Sequence, residues 1–267
     1  MTPVEIIGYA AALVVGLVMG LVGGGGSIIT VPVFVYLFDL NPLLATSYSL
    51  VVVGSTSLVG TVGYALRGQI DFKITAAFAL PSLVSVFITR RVLVPAIPDP
   101  MLSIGTFTLP KADAILLFFA FVMILAARAM IRHRNIEDNA KSLKINYLSL
   151  GLDGLAVGLL TGTVGAGGGF LIVPMLVVMA RLPMPLAVGT SILIIAVNSF
   201  VGVLGDVHWN EFNWQFLTTF TSISIVGILV GQSLSKYIAV QDLKKTFGWF
   251  VLTVAIFIVG KELFSSF

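Results

Sequence analysis

The chain of 267 residues is 58% hydrophobic and 10% charged, with a formal net charge of +3 and a mean hydropathy of +1.07. Those proportions exclude an ordinary soluble surface and describe a polytopic membrane protein. Cysteine is absent, which excludes disulfides, thiol redox chemistry and Cys-ligated metals; the cations sit in loops between apolar runs, so membrane topology accounts for them without nucleic acid.

Apolar runs predict segments over Val4–Val22, Ile28–Phe38, Leu43–Leu66, Phe72–Val94 and Ala112–Ile131, then over Tyr147–Val164, Phe170–Ala180, Pro185–Leu204, Trp214–Tyr237 and Lys244–Phe264. Most approach the roughly 20 residues that carry a helix across about 30 Å of hydrocarbon. They lack the alternation of a barrel strand, and backbone groups must be satisfied within lipid, so the fold class is all-α. The first run lacks the basic stretch of a signal peptide and carries Glu5, so it reads as a retained helix. The second run of each set is different: about 11 residues give roughly 16 Å of helix, too short to span alone. It reads as a half-helix or a re-entrant piece. Pro32 and Pro174 fall in its first turns, where a missing N–H costs least, and the glycines before it break the chain. Residues 97–111, with Pro98, Pro100 and Pro110, read as an extramembrane loop.

The two sets are a duplication. Pairing Pro32 with Pro174 fixes an offset of 142 residues, which superposes Gly23-Gly24-Gly25-Gly26-Ser27 on Gly165-Ala166-Gly167-Gly168-Gly169 and aligns Gly16 with Gly158, Ser49 with Ser191 and Ser57 with Ser199. From Leu13 to Gly63 about twenty positions are identical without a gap. The chain therefore divides into a first repeat, 1–131, a basic linker, 132–146, and a second repeat, 147–267.

Cations give the topology. The linker with Arg132, His133, Arg134, Lys141 and Lys144, and the link with Lys236, Lys244 and Lys245, are expected to be cytoplasmic. The turn bearing Asp206, His208 and Glu211 has no Lys or Arg and is expected outside, whereas its repeat partner with Arg67 and Lys73 is expected inside. Equivalent turns on opposite sides make the halves inverted repeats, an arrangement common among secondary transporters, and place both termini outside. Arg90 and Arg91 sit against this rule at an outer helix end: either they serve a function there, attracting anions to a vestibule, or the count of spans differs by one.

Non-helical backbone inside a bilayer is tolerated where it is buried in protein or lines a cavity, so two matched glycine breaks point to one shared site near the midplane. Gly24, Gly25, Gly26 and Ser27, with Gly167, Gly168 and Gly169, open short helices whose N-termini carry partial positive charge and amide donors, an anion site. The following helices add Ser49, Thr56 and Ser57, and Ser191, Asn198 and Ser199. These neutral donors suit a small oxyanion that must bind and then leave. Asp153 and Asp206 are the carboxylates closest to the membrane interior and the candidates for proton coupling; His208 beside Trp209 belongs to the interfacial aromatic belt. No His-Glu-x-x-His, Gly-x-Ser-x-Gly or Walker pattern is present, so no catalytic residue, metal site or cofactor is expected. A channel on the same scaffold, a non-transporting membrane scaffold and a cation transporter are the alternatives that these residues leave open.

The paired Gly-Gly-Gly-Gly-Ser…Val-Pro and Gly-Ala-Gly-Gly-Gly…Val-Pro motifs, followed by Ala-Thr-Ser-Tyr-Ser at 45–49 and Ala-Val-Gly-Thr-Ser at 187–191, resemble the TauE/SafE sulfite exporter family. The resemblance implies a multi-pass transporter in the bacterial cytoplasmic membrane, exporting sulfite, a sulfonate or a related organosulfur anion and driven by the proton gradient. Its partners would be that small anion and membrane lipid, with homo-oligomerisation left open.

Overall fold

The structure, a computed structural model, describes residues 3–104, 107–132, 146–165, 167–178, 180–206, 211–235, 237 and 240–265. His208, Trp209, Lys236 and most of the basic linker lie outside the described residues. The first repeat supplies α1 (Pro3–Val22), α2 (Ser27–Leu37), α3 (Pro42–Leu66), α4 (Phe72–Ala96) and α5 (Lys111–Arg132). The second supplies α6 (Tyr147–Val164), α7 (Gly169–Val178), α8 (Met184–Gly205), α9 (Trp214–Leu234) and α10 (Val240–Ser265), so each helix recurs five labels later. Five of them, α3, α4, α6, α8 and α9, are long and apolar enough to cross a membrane by length and composition. The protein is an all-α polytopic membrane protein, with one addition in the segment expected as a plain loop. There a three-residue strand β1 (Leu102–Ile104) pairs antiparallel with β2 (Phe107–Leu109).

Local chemistry sets the helix starts. Asn41 caps α3 by accepting from the Leu43 amide at 2.9 Å, with Pro42 at the first helical position, where its ring costs nothing. Asp71 caps α4 and its repeat partner Asn213 caps α9, each side chain accepting a backbone N–H. The short helices end alike. Asp39 and Arg181, equivalent under the repeat, both adopt φ 52°, and the Leu40 and Leu182 amides donate back to Phe34 and Leu176 carbonyls at 3.1 Å. One sequence pattern has folded twice into one local structure.

The repeats interlock instead of standing side by side. α1 packs along α9 of the other repeat, and α6 packs along α4, which is the same contact repeated. Small residues make both possible. A Cβ at Gly16 would strike the Ser224 carbonyl of α9, and one at Gly158 the Ser82 carbonyl of α4, the equivalent position. The remaining pairings obey the same two-fold: α4 with α8 mirrors α9 with α3, while α3 with α8 and α5 with α10 map onto themselves.

α3 and α8 run antiparallel, because Leu50 meets Gly202, Gly54 meets Ser199 and Tyr64 meets Gly189. Two equivalent spans of opposite direction are what inverted repeats require, with the pseudo-two-fold axis in the membrane plane. The pairing pivots between Ser55-Thr56 and Val197-Asn198, so the axis passes through the polar cluster singled out above. α2 is no free re-entrant piece: Gly26 packs at Val15 and Met19, and Phe38 at Gly8, so the glycine break and α2 together return along α1. Aromatic rings fasten its far end, Phe34 against Phe220 and Phe38 against Phe216, each with centroids 4.7 Å apart.

Candidate substrate-binding site

Both chain breaks use backbone conformations open to glycine. Gly23 and Gly24 have φ of 74° and 105°, and Gly165, Gly167 and Gly168 have 68°, 63° and 77°. The breaks also touch. A Cβ at Gly24 would lie 2.8 Å from the Gly169 α-carbon, and a Cβ at Gly167 would lie 2.7 Å from Ser199 Oγ and 2.8 Å from Val53. The two broken segments therefore meet at the pseudo-two-fold axis, against α3 and α8.

Around that meeting point the structure buries polar atoms without protein partners. The hydroxyls of Thr56, Ser57 and Ser199 and the Asn198 carbonyl oxygen make no hydrogen bond, nor, two turns earlier on α3, does the Ser49 hydroxyl, although each of these residues is at most 1% exposed. A buried polar atom left unpaired costs roughly 1–3 kcal/mol, so a cluster of them marks a place built for another partner. Asn198 is held in place by its amide, which donates to Ser82 Oγ at 2.8 Å. Two of the expected residues are turned to the chain instead. Ser27 Oγ donates to the Gly24 carbonyl at 2.7 Å and its amide closes the same turn, while Ser191 Oγ donates to the Val188 and Gly23 carbonyls. Their role here is to hold the breaks in shape.

The two carboxylates part company. Asp153 is half-buried on α6, about two turns after the cap at Asn146 and far along the helix from the break at Gly165, with Oδ2 unpartnered. Asp206, at the end of α8, is 3% exposed; it pairs with Arg90 Nη1 at 3.3 Å and accepts a hydrogen bond from Ser47 Oγ. Arg90 itself is 3% exposed and lies in a π-helical turn of α4, Thr89–Leu93. The extra residue of such a turn re-aims side chains, and these turns recur at functional sites. Arg91 points outward and is exposed. Arg90 Nη2 occupies the space a Cβ of Gly165 would need, so the guanidinium lies directly on the second glycine break. Sequence reasoning placed Arg90 at a vestibule; the structure buries it beside the site. The usable signal was its conflict with the positive-inside rule.

Broken helices of inverted repeats that meet at a buried polar centre define a membrane transporter and not an enzyme. The chain matches the family described as Sulfite exporter TauE/SafE over residues 8–258 and belongs to that family. A probable membrane transporter protein of Xylella fastidiosa (strain 9a5c) is 29% identical over 259 residues, covering 93% of this chain and 92% of the relative. The probable membrane transporter protein YunE of Bacillus subtilis is 23% identical, with 94% of each chain covered, and one from Haemophilus influenzae is 26% identical, covering 90% and 92%. No solved structure matches the chain.

Proposed function

We propose that the protein is an alternating-access secondary transporter that exports sulfite, a sulfonate or a related small organosulfur anion across the bacterial cytoplasmic membrane. The observation that carries this reading is the group of unpartnered donors at Thr56, Ser57 and Ser199 where the two breaks touch. Neutral hydroxyls and backbone amides at helix starts can replace the water around a small oxyanion without holding it irreversibly. The sulfur chemistry rests on the family and on that donor set.

The interlocked packing supports moving bodies drawn from both repeats. One would contain α1, α3 and α9, the other α4, α6 and α8, and rocking one against the other about the axis would expose the centre to each side in turn. The sequence repeats 1–131 and 147–267 are then units of duplication and not of motion. Asp206, the carboxylate beside the breaks, is the better placed of the two for coupling to protons.

The test is thermal unfolding of the purified protein with sulfite, thiosulfate, taurine, sulfoacetate or sulfate, since a ligand that binds only the folded state raises the melting temperature. A rise with one sulfur anion, lost in Gly168→Val, and saturable counterflow of that anion in proteoliposomes are expected. Conductance at channel rates, or no response to any of these anions from a folded protein, would overturn the reading.

A further inference from the structure

The two-fold relating the repeats is obeyed by the helix packing and broken at its two ends, by the π-turn that α4 alone carries and by the chemistry. At the end that holds Gly165 stand Arg90, Asp206 and Ser47, with Thr89 against Gly162 and Ser49 as the repeat equivalent of the Ser191 that bonds to Gly23. At the end that holds Gly23, the repeat-equivalent positions are Gly189, Ser191, Gly231, Gln232 and Tyr64. The second set is neutral and satisfied. Gln232 Nε2 donates to the Gly60 carbonyl at 2.6 Å, Tyr64 Oη to the Gly20 carbonyl at 2.8 Å and Ser191 Oγ to the Gly23 carbonyl at 2.9 Å. The nearby cation, Arg67, is exposed; it donates Nη1 to the Gln232 carbonyl at 3.4 Å and lies over the Tyr64 ring, with no carboxylate paired to it among the described residues.

The first set is charged and only partly satisfied: Ser47 and Asp206 are bonded, the rest largely not. Arg90 Nε and Nη2, Thr89 Oγ1 and Ser49 Oγ all lack hydrogen-bond partners, and the three residues are at most 3% exposed. Only Nη1 of the guanidinium meets Asp206. A buried Arg held by one edge to a carboxylate, with Nη2 on a glycine break and the unpartnered Thr89 hydroxyl on the neighbouring residue, has the geometry of a fork that takes an oxyanion in a bidentate manner. Arg90 stands two turns beyond Ser82, the residue that holds Asn198, and so roughly 12 Å along α4 from the central cluster.

We propose that Arg90, Thr89 and Ser49 form an anion-loading subsite between the centre and the Asp206 end, and that Asp206 is the built-in competitor that occupies Arg90 between anions. The proposal rests on the transporter reading above and adds to it a residue set and an asymmetry. An oxyanion must take Arg90 from Asp206 to enter, so the ion pair closes that end until an anion replaces the carboxylate. The Gln232 end, whose charge is an exposed Arg67 bonded to a backbone carbonyl and not a buried ion pair, closes by packing. Recognition of the anion by a cationic group before it reaches the centre is thus confined to one side of the protein.

The experiment measures binding of sulfite, thiosulfate and sulfoacetate to the purified full chain, by calorimetry and by anion-induced change in melting temperature. Four variants are compared with the wild type: Asp206→Asn, Arg90→Gln/Asp206→Asn, Gln232→Ala and Gly168→Val. The double variant carries a neutral pair like the opposite end, so it keeps the fold without an uncompensated charge. Asp206→Asn is expected to bind the anion at least about tenfold more tightly and to gain more thermal stability from it than the wild type does, because the competitor is gone. The double variant is expected to lose about 100-fold in affinity, and Gln232→Ala to change it by less than about threefold. A folded double variant that binds like the wild type, or an Asp206→Asn protein that binds no more tightly, overturns the proposal. If Gly168→Val abolishes binding while the double variant keeps it, this subsite fails and the central site stands; if no anion binds the wild type, both fail.

Discussion

Removing one partner of the Arg90–Asp206 pair tests how the buried interior of this protein is held together. Both side chains are at most 3% exposed and approach to 3.3 Å. Their mutual attraction offsets a desolvation cost of several kcal/mol per ion, so the pair contributes little in net stability, while breaking it strands a buried charge at a cost of about 3–5 kcal/mol. For a chain of this size each kcal/mol moves the melting temperature by about 2–4 °C, which places Arg90→Gln and Asp206→Asn about 6–20 °C below the wild type. The double variant removes both charges and keeps polar side chains in the same space. It is expected within about 1 kcal/mol of the wild type, giving a coupling of about 3 kcal/mol or more between two residues 116 apart in sequence. Melting of the four proteins in one detergent, followed by fluorescence of the Trp side chains, supplies the cycle. If Arg90→Gln alone lowers the melting temperature by less than about 2 °C, the guanidinium is solvated and the argument from a buried ion pair is wrong.

Two further outcomes follow from the geometry. Gly169→Ala puts a Cβ against the Gly24 backbone, 2.6 Å from its α-carbon, so it should cost about 1–3 kcal/mol and abolish anion counterflow in proteoliposomes; flux at the wild-type level would show that the breaks need not touch. Because the native chain has no Cys, single-Cys variants report topology cleanly: Glu211→Cys should react with an impermeant maleimide from outside intact cells and Gln69→Cys only after the membrane is opened, and labelling of both from one side would refute the inverted arrangement.

Much of this protein is decided by its sequence. Helix positions follow from apolar runs of membrane length, and the described helices begin and end within a few residues of those runs, because in lipid every backbone group must find its partner locally. The duplication is a property of the sequence alone, and it announces two equivalent glycine breaks whose positive φ values no other residue tolerates well. Asn198 and Ser57 could be named because polar residues are costly in hydrocarbon and stand out against it. Which of them bond to the chain was not legible: Ser49 and Ser191 are equivalent in sequence, yet one hydroxyl is unpartnered and the other is bonded to Gly23.

Tertiary structure decided the rest. That α1 packs on α9 and α6 on α4 depends on complementary surfaces from different repeats, and an internal repeat is silent about which copies exchange partners. Arg90 was visible as an anomaly of charge and topology, but its burial against Asp206 and Gly165 joins residues brought together only by the crossing of α4, α6 and α8. A π-turn in one repeat, absent from the equivalent described helix α9, aims that side chain inward. Equivalent sequence thus determined the scaffold on both sides of the axis and unequal residues, Arg90 for Gln232 and Asp206 for Tyr64, made one end charged and the other neutral, while long-range packing brought those charges together and buried them against the glycine break.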